Sequence, residues 1–220
     1  MSDLKDRLWT PANVVTIARI CVFPIIIGLA YWDAWAVKQG NLELSSTIAL
    51  WNALLFSAAF ITDYLDGYLA RSRGEVSTFG SFLDPLSDKV LMTTGLIMIV
   101  MLGRAPAWVA VIIILREMAI TGLRTLASGE GIVISASKWG KIKTNLQGFS
   151  IAFCMGHYPH HLLWWDSGPL IPFGPMGAVL LYVALVSTVM SGYHYFDEFF
   201  KAVYAEGPDE TDDESDPSPS

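Results

Sequence analysis

Charged side chains are scarce in this chain of 220 residues. Asp, Glu, Lys and Arg account for 16% of the sequence and hydrophobic residues for 53%, whereas an average soluble domain is about 25% charged. A soluble core also needs polar outer faces, and several long stretches of this sequence have none. The composition therefore predicts an integral membrane protein and disfavours a soluble domain.

Cysteine and histidine are also rare, with two and four copies. Cys21 and Cys154 both lie in apolar stretches, which favours packing roles over a disulfide or a metal site. His157, His160 and His161 form a cluster for which a metal site is conceivable. We interpret the cluster as part of an interfacial loop, because the predicted membrane topology places it on the side away from the four aspartates of the candidate site.

Bases are absent from the strongly acidic C-terminal segment. Residues 206–220 contain seven of the 21 acids and none of the 14 Lys and Arg residues, so the rest of the chain is neutral. A segment rich in Pro, Ser and acids buries too little apolar surface to fold, so we predict a disordered acidic tail over residues 205–220. The neutral body gives no reason to expect a nucleic-acid partner.

Six stretches are candidates for membrane-crossing helices, which need about 20 mainly apolar residues. They lie at residues 14–31, 47–62, 90–102, 107–126, 146–157 and 176–196. The second, third and fifth reach spanning length only if residues 63–70, 86–89 and 141–145 continue the same helices. The predicted fold is an all-α integral membrane domain over residues 13–204 with six transmembrane helices.

The distribution of Lys and Arg predicts the orientation of these helices. Bases cluster before the first span, between the second and third, between the fourth and fifth, and after the sixth, whereas the opposite links carry only Lys38 and Arg104. Basic loops stay cytoplasmic, so we expect both termini on that side of a bacterial-type cell (inner) membrane. Residues 1–12 mix charges with Leu4, Leu8 and Trp9, which predicts a short amphipathic helix at the interface.

Four aspartates lie where the second span ends and the third begins, at Asp63, Asp66, Asp84 and Asp88. Spacings of three and four residues put the members of each pair on one helix face. The link between the two spans, broken by Gly74 and Gly80, could fold back and bring the pairs together. Acids within membrane spans are rare and usually functional, so this group is the strongest candidate site.

Neighbouring carboxylates repel each other and resist desolvation, so a cation has to neutralise them. Oxygen ligands without His or Cys suit Mg²⁺ or Mn²⁺ better than zinc. Such ions complete their shells with substrate phosphate oxygens, and two ions could assist a phosphoryl transfer. Gly67 and Arg71 could admit and contact a phosphate. The alternative is that the acids cap helix ends or pair with Arg71, Arg73 and Lys89.

The segment that holds the aspartates resembles the CDP-alcohol phosphatidyltransferase family at eight fixed positions. The pattern reads Asp63-x2-Asp66-Gly67-x2-Ala70-Arg71-x8-Gly80-x3-Asp84-x3-Asp88. The resemblance implies a six-helix membrane enzyme, commonly a homodimer, with its active site at the cytoplasmic face. It also implies a reaction in which the phosphatidyl group of CDP-diacylglycerol is transferred to an alcohol.

The same resemblance implies roles for individual residues. Asp63, Asp66 and Asp84 would hold Mg²⁺ or Mn²⁺, with two ions in each active site. Asp88 would contact a metal and act as the catalytic general base on the acceptor hydroxyl. The CDP part of the donor would be bound by Gly67, Arg71 and Ser77.

Three further blocks resemble the subgroup of this family that makes phosphatidylglycerophosphate. They are Asn13, Thr16 and Arg19 in the first span, Arg116, Glu117, Leu123 and Arg124 around the fourth, and residues 136–147 entering the fifth. This resemblance implies sn-glycerol 3-phosphate as acceptor, with CMP as the second product, and adds Asn13 and Thr16 to the binding site for CDP-diacylglycerol. A phosphorylated acceptor needs fixed cations, for which the candidates are Arg19, Arg116, Arg124, Lys141 and Lys143.

Other interpretations remain open at this point. The bases could instead set topology or touch anionic lipid, and Arg116 and Glu117 could form a structural pair. The acceptor could be inositol phosphate, serine or another alcohol. An aspartate-rich membrane prenyltransferase and a divalent-cation transporter are alternatives with different chemistry.

Overall fold

The computed structural model describes residues 11–73, 78–129, 138–161 and 170–205. Side chains are described throughout these ranges except at residues 11–17, 63–73, 78–85, 138–142, 161, 203 and 205. The interfacial helix expected over residues 1–12 and the acidic tail expected over residues 205–220 therefore fall almost entirely outside the described part, and both stay predictions.

Within the described residues, the chain forms six long helices in the order expected from the apolar stretches. They are α1 Pro11–Lys38, α2 Leu42–Arg73, α3 Thr78–Met101, α4 Ala107–Gly129, α5 Lys138–Gly156 and α6 Phe173–Ala205. Helices α2, α3 and α5 include residues 63–70, 86–89 and 141–145, so the expected helical extensions are confirmed. Gly80 lies inside α3 rather than in the link, which makes the break after α2 shorter than the glycines indicated.

The turns that end α1 and α3 are both closed by a glycine. Gly40 and Gly103 have positive φ angles of 74° and 70°, a conformation that only glycine adopts without steric cost. In each turn the next amide bonds back to the carbonyl five residues earlier, from Asn41 to Ala36 and from Arg104 to Ile99. This satisfies carbonyls that a helix end leaves without partners, and it lets consecutive helices reverse direction within a few residues.

Contacts between helices define two ends of the bundle. Lys89 of α3 donates to Thr121 of α4 at 2.7 Å near the middle of both helices. At one end of the bundle, Arg104 from the α3–α4 link donates to Asp33 near the end of α1 and to the carbonyl of Met155 near the end of α5. The starts of α1, α3 and α5 and the ends of α2, α4 and α6 therefore lie toward a second end, which we call the site end because the four aspartates are in that half of α2 and α3. The other is called the opposite end.

Glycines allow the helices in the core to pack closely. A Cβ atom at Gly95 of α3 would lie 2.7 Å from side-chain carbons of Phe56 and Ile151, and one at Gly148 of α5 would lie 2.6 Å from the ring of Phe60. Small residues at helix contacts are typical of membrane bundles, where association depends on close van der Waals packing. The phenyl rings of α2 thus fill the spaces that the two glycines leave.

Among the residues whose side chains the structure describes, three helical segments are long and apolar enough to cross a membrane by composition: Ala18–Lys38, Leu42–Thr62 and Phe173–Ala202. The remaining three, with 24, 23 and 19 residues, match or approach the roughly 20 residues that a span requires. They carry charged residues of the candidate site within their length. The membrane character of the protein is confirmed, whereas the full count of six spans stays a prediction.

The helical bundle agrees with the all-α prediction, and one small β-sheet is added to it. Strands β1 Pro159–His161 and β2 Leu170–Pro172 pair antiparallel between α5 and α6, with His160 opposite Ile171. The segment around them is rich in proline, which has no amide hydrogen for a helix interior. The short pairing at the opposite end of the bundle leaves the helical architecture of the membrane domain unchanged.

Candidate functional site

The backbone brings the two aspartate pairs to matching heights in neighbouring helices. Residues 74–77 are all that separates α2 from α3, and the two helices contact each other. At a rise of 1.5 Å per residue, Asp63 and Asp88 lie about 15 Å from the ends that face this link, and Asp66 and Asp84 about 10 Å. The side chains of Asp63, Asp66 and Asp84 are outside the described part, as are those of Asn13, Thr16, Arg71 and Ser77.

Asp88 is the one candidate metal ligand whose side chain is described, and it lines a cavity. The cavity has a volume of about 240 Å³ and lies between α3, α4 and α5. Its polar wall is formed by Asp88, Lys89, Thr93, Glu117, Thr121, Thr144 and Gln147, and its apolar wall by Met92, Leu96, Ile113, Ile114 and Met118. A space with one polar and one apolar wall suits a molecule that has both characters, such as a phospholipid near its headgroup.

The helical repeat explains why this cavity has two kinds of wall. Asp88, Met92 and Leu96 follow one another at intervals of four residues on α3, so they form a single stripe. Ile113, Glu117 and Thr121 form the matching stripe on α4. On both helices the stripe is polar toward the site end and apolar farther from it. The polarity of the cavity therefore falls with distance from the site end.

Two of the predicted phosphate-binding cations meet beside this cavity. Lys143 of α5 and Arg116 of α4 both form ion pairs with Oε1 of Glu117, Arg116 through Nη1 at 3.0 Å. Arg116 also donates from Nη2 to the hydroxyl of Ser191 on α6 at 2.9 Å. The structural pair considered for Arg116 and Glu117 is therefore present, and it extends to Lys143. A role of these cations toward a substrate phosphate stays a prediction.

The other predicted cations are more dispersed. Arg19 is buried in α1 with 4% of its surface exposed. Arg124 lies two turns beyond Arg116 on α4, and its guanidinium carbon is 5.9 Å from the ring centre of Tyr195, a distance at which a cation is attracted to an aromatic face. The side chain of Lys141 lies outside the described part. The structure thus groups Arg116 with Lys143 and places Arg124 against α6.

The histidine cluster lies away from these residues, as expected. His157 follows α5 and His160 lies in β1, both at the opposite end of the bundle. His160 packs against the ring of Phe173 with the ring centres 5.3 Å apart. Among the side chains that the structure describes, no group of three or more His, Cys, Asp or Glu residues could hold a metal ion. Cys21 is exposed and Cys154 is buried, and both are free thiols.

Sequence reasoning missed the contribution of α6 and a polar cluster at the opposite end. Ser191 and Tyr195 are ordinary polar residues in an apolar helix, and only the tertiary contacts reveal their partners on α4. Asp33 and Arg104 form a buried ion pair at 2.6 Å. A signal for this pair was present, since Asp33 is a lone acid near the end of an apolar stretch, where acids are costly unless they are paired.

Comparison with known proteins supports the resemblance seen in the motifs. The sequence model of the CDP-alcohol phosphatidyltransferase family matches residues 9–190. The CDP-diacylglycerol–glycerol-3-phosphate 3-phosphatidyltransferase of Bacillus subtilis (strain 168) is 40% identical over 194 residues, which cover 87% of this chain and 95% of the relative.

More distant relatives have similar names. A probable phosphatidylglycerophosphate synthase of Mycobacterium tuberculosis is 34% identical over 191 residues, which cover 87% of this chain and 82% of the relative. A CDP-diacylglycerol–glycerol-3-phosphate 3-phosphatidyltransferase of Rickettsia felis is 33% identical over 186 residues, covering 84% and 92%. These matches favour a phosphatidyltransferase over a prenyltransferase or a cation transporter.

Proposed function

The chain belongs to the CDP-alcohol phosphatidyltransferase family, and on that premise we propose that it transfers the phosphatidyl group of CDP-diacylglycerol to sn-glycerol 3-phosphate. The products are phosphatidylglycerophosphate and CMP. The observation that carries this proposal is the similarity to the Bacillus subtilis relative, which bears the name of this activity and is matched over 95% of its length. The cavity beside Asp88 supports it, because the donor is a lipid whose reacting phosphate adjoins apolar chains.

The four aspartates fit a divalent metal site. Their carboxylates provide only oxygen ligands, and their positions in α2 and α3 lie at matching heights on two contacting helices. Asp63, Asp66, Asp84 and Asp88 would hold two Mg²⁺ or Mn²⁺ ions, a ligand chemistry that suits hard cations. When bound, such ions neutralise the negative charge that develops on phosphate oxygens during the transfer.

Asp88 is the proposed general base. Its carboxylate takes the proton of the primary hydroxyl of the acceptor, and the hydroxyl oxygen forms a bond to the phosphorus that carries diacylglycerol. The bond between this phosphorus and the oxygen of the CMP phosphate breaks, and CMP leaves with the electron pair. A base must lie within hydrogen-bond reach of the proton it removes, and the position of Asp88 on the polar wall of the cavity gives an acceptor such access.

The two substrates are proposed to approach this site from different sides. The apolar wall formed by residues such as Leu96 and Ile113 admits the part of the donor that adjoins its acyl chains. Arg116 and Lys143 bind the phosphate of the acceptor, since ionised donors make the strongest hydrogen bonds to phosphate oxygens. Gly67, Arg71, Ser77, Asn13 and Thr16 remain the candidates for binding the CDP-diacylglycerol headgroup.

The setting of the enzyme follows from its substrates and belongs to the same proposal. Six transmembrane helices in the inner membrane would place the site end, together with both termini, at the cytoplasmic face. There a lipid donor from the leaflet and a soluble anionic acceptor can meet. By the family resemblance, the enzyme works as a homodimer in the lipid bilayer.

Release of CMP by the purified, detergent-solubilised protein tests this function. With CDP-diacylglycerol and Mg²⁺, CMP should appear when sn-glycerol 3-phosphate is added and should remain at background with inositol phosphate or serine. Removal of divalent ions by EDTA should abolish the release. CMP formation with a different alcohol would overturn the acceptor, and no CMP with any alcohol from folded protein would overturn the transferase.

A further inference from the structure

A single carboxylate oxygen joins two cations at the edge of the cavity. Oε1 of Glu117 accepts hydrogen bonds from Nζ of Lys143 and from Nη1 of Arg116, the latter at 3.0 Å. Lys143 belongs to α5 and Arg116 to α4. Glu117 therefore fixes the position of the Lys143 ammonium relative to the Arg116 guanidinium. Both bonds use the same oxygen, which draws the ammonium and guanidinium groups toward a common point.

Helix α6 holds the guanidinium of Arg116 from its other side. The hydroxyl of Ser191 accepts a hydrogen bond from Nη2 at 2.9 Å. The adjacent Gly192 provides the necessary space, because a Cβ atom there would lie 3.3 Å from Cγ and 3.4 Å from Nε of Arg116. Arg116 is therefore fixed by Glu117 within its own helix and by Ser191 across the helix interface.

The electrostatics of this cluster favour binding of an anion. The side chains of Arg116, Lys143 and Glu117 are 13%, 5% and 34% exposed, so the two cations are largely buried while the carboxylate reaches the cavity. Two buried cations so close together repel each other, and each loses hydration that a partner must replace. The carboxylate of Glu117 relieves this repulsion and leaves one positive charge among the three groups, while the charge of Asp88 also acts on Lys143.

We propose that Glu117 is the positioning residue of the acceptor-phosphate site, because a single oxygen of its carboxylate holds Arg116 and Lys143 side by side, next to the cavity that Glu117 and Asp88 line. This inference rests on the proposed function and deepens it: the ligand is a phosphate monoester whose charge the pair of cations balances. Glu117 touches neither the phosphate nor the reacting atoms. It acts through the two cations, in the way that a preorganised site depends on the residues supporting its ligands.

Steady-state kinetics of Glu117→Gln, measured separately for each substrate, test the proposal. The amide keeps the size of the side chain but loses the charge that holds both cations, so the KM for sn-glycerol 3-phosphate should rise about tenfold, the effect of losing a charged hydrogen bond. The KM for CDP-diacylglycerol and the kcat at saturating acceptor should stay within about twofold of wild type. The matched control is Glu43→Gln, an exposed acid at the opposite end, which should leave all three constants unchanged.

A second variant carries the test if Glu117→Gln does not accumulate as folded protein. Ser191→Ala removes the support of Arg116 from α6 and should raise the acceptor KM by about threefold, the loss of one hydrogen bond. Its matched control is Ser187→Ala, one turn earlier, where the hydroxyl bonds to the carbonyl of Ala184 in its own helix. The donor KM should not respond to either serine change.

The outcomes separate this inference from the function on which it rests. An unchanged acceptor KM in Glu117→Gln, or equal rises in the KM of both substrates, would overturn the positioning role even though the wild type is active. Wild-type protein that releases no CMP with sn-glycerol 3-phosphate would instead overturn the proposed function itself. A selective rise in the acceptor KM supports both.

Discussion

Nη2 of Arg104 lies 2.6 Å from Oδ2 of Asp33, and these two buried side chains form an ion pair at the opposite end of the bundle. Ser45 donates to the other carboxylate oxygen of Asp33, and its hydroxyl is 2.7 Å from that of Tyr158. Arg104 also donates to the carbonyl of Met155. This cluster ties α1, α2, α5 and the α3–α4 link together at the end away from the aspartates.

Loss of one member of this ion pair should destabilise the protein without altering its chemistry. Arg104→Met leaves Asp33 charged, buried and without its partner, which typically costs about 3–5 kcal/mol. The double variant Asp33→Leu/Arg104→Met should recover much of that loss, because no buried charge remains. Thermal unfolding in detergent measures both, and turnover per folded molecule should match wild type. A single variant as stable as wild type would contradict the account.

Close packing of α5 against α6 should be sensitive to a single methyl group. A Cβ atom at Gly177 would lie 2.6 Å from the backbone nitrogen of Cys154, and a backbone atom cannot move aside as a side chain can. Gly177→Ala should therefore lower the free energy of unfolding by about 1–3 kcal/mol.

Gly28→Ala is the matched control for this substitution. A Cβ atom at Gly28, also within a helix, would meet nothing within 4 Å, so its unfolding temperature should stay near that of wild type. Equal unfolding temperatures for Gly177→Ala and Gly28→Ala would show that α5 and α6 do not pack as described.

Filling the cavity should impair catalysis if the cavity receives substrate. Ile113 lines it and is fully buried, so Ile113→Phe would project a larger ring into the space and should lower kcat/KM by at least about tenfold, as expected when substrate is displaced by even a small distance. Ile112→Phe is the matched control, because Ile112 is exposed on the same helix. Equal kcat/KM values for the two variants would exclude the cavity as a substrate site.

A substitution at Asp88 distinguishes a general base from a residue that only lines the cavity. Asp88→Asn removes the proton acceptor with little change in size and should lower kcat by about 100-fold or more, the usual contribution of a general base. Binding of CDP-diacylglycerol, measured separately, should persist. Turnover near the wild-type level would show that Asp88 is not the base, whereas joint loss of binding and turnover would assign it to metal binding alone.

Much of the fold could be predicted from local features of the sequence. Apolar stretches predicted the order of all six helices, and α2, α3 and α5 include the polar extensions 63–70, 86–89 and 141–145 that were expected to continue them. For α2, the segment Leu42–Thr62 is long enough to cross a membrane without its extension. The eight-residue pattern around Asp63 and Asp88 led to the family. Each of these features depends on one segment at a time, which is why they could be read without tertiary information.

Features that depend on contacts between distant segments could not be predicted in the same way. Hydropathy shows Asp33 and Arg104 only as isolated charges, and their pairing across 71 positions needs the folded bundle. Ser191 and Gly192 have no distinguishing sequence environment, since their importance comes from Arg116 on another helix. The short sheet at His160 and Ile171 was also missed, because three-residue strands provide too little pattern to recognise.

The stoichiometry of products tests the central claim most directly. Purified protein, CDP-diacylglycerol, Mg²⁺ and sn-glycerol 3-phosphate would be incubated, and CMP and lipid products would be quantified together by mass spectrometry. The account predicts one molecule of phosphatidylglycerophosphate for each CMP, with neither product formed when the acceptor is omitted. CMP without a matching amount of phosphatidylglycerophosphate, or no CMP from folded protein, would contradict it.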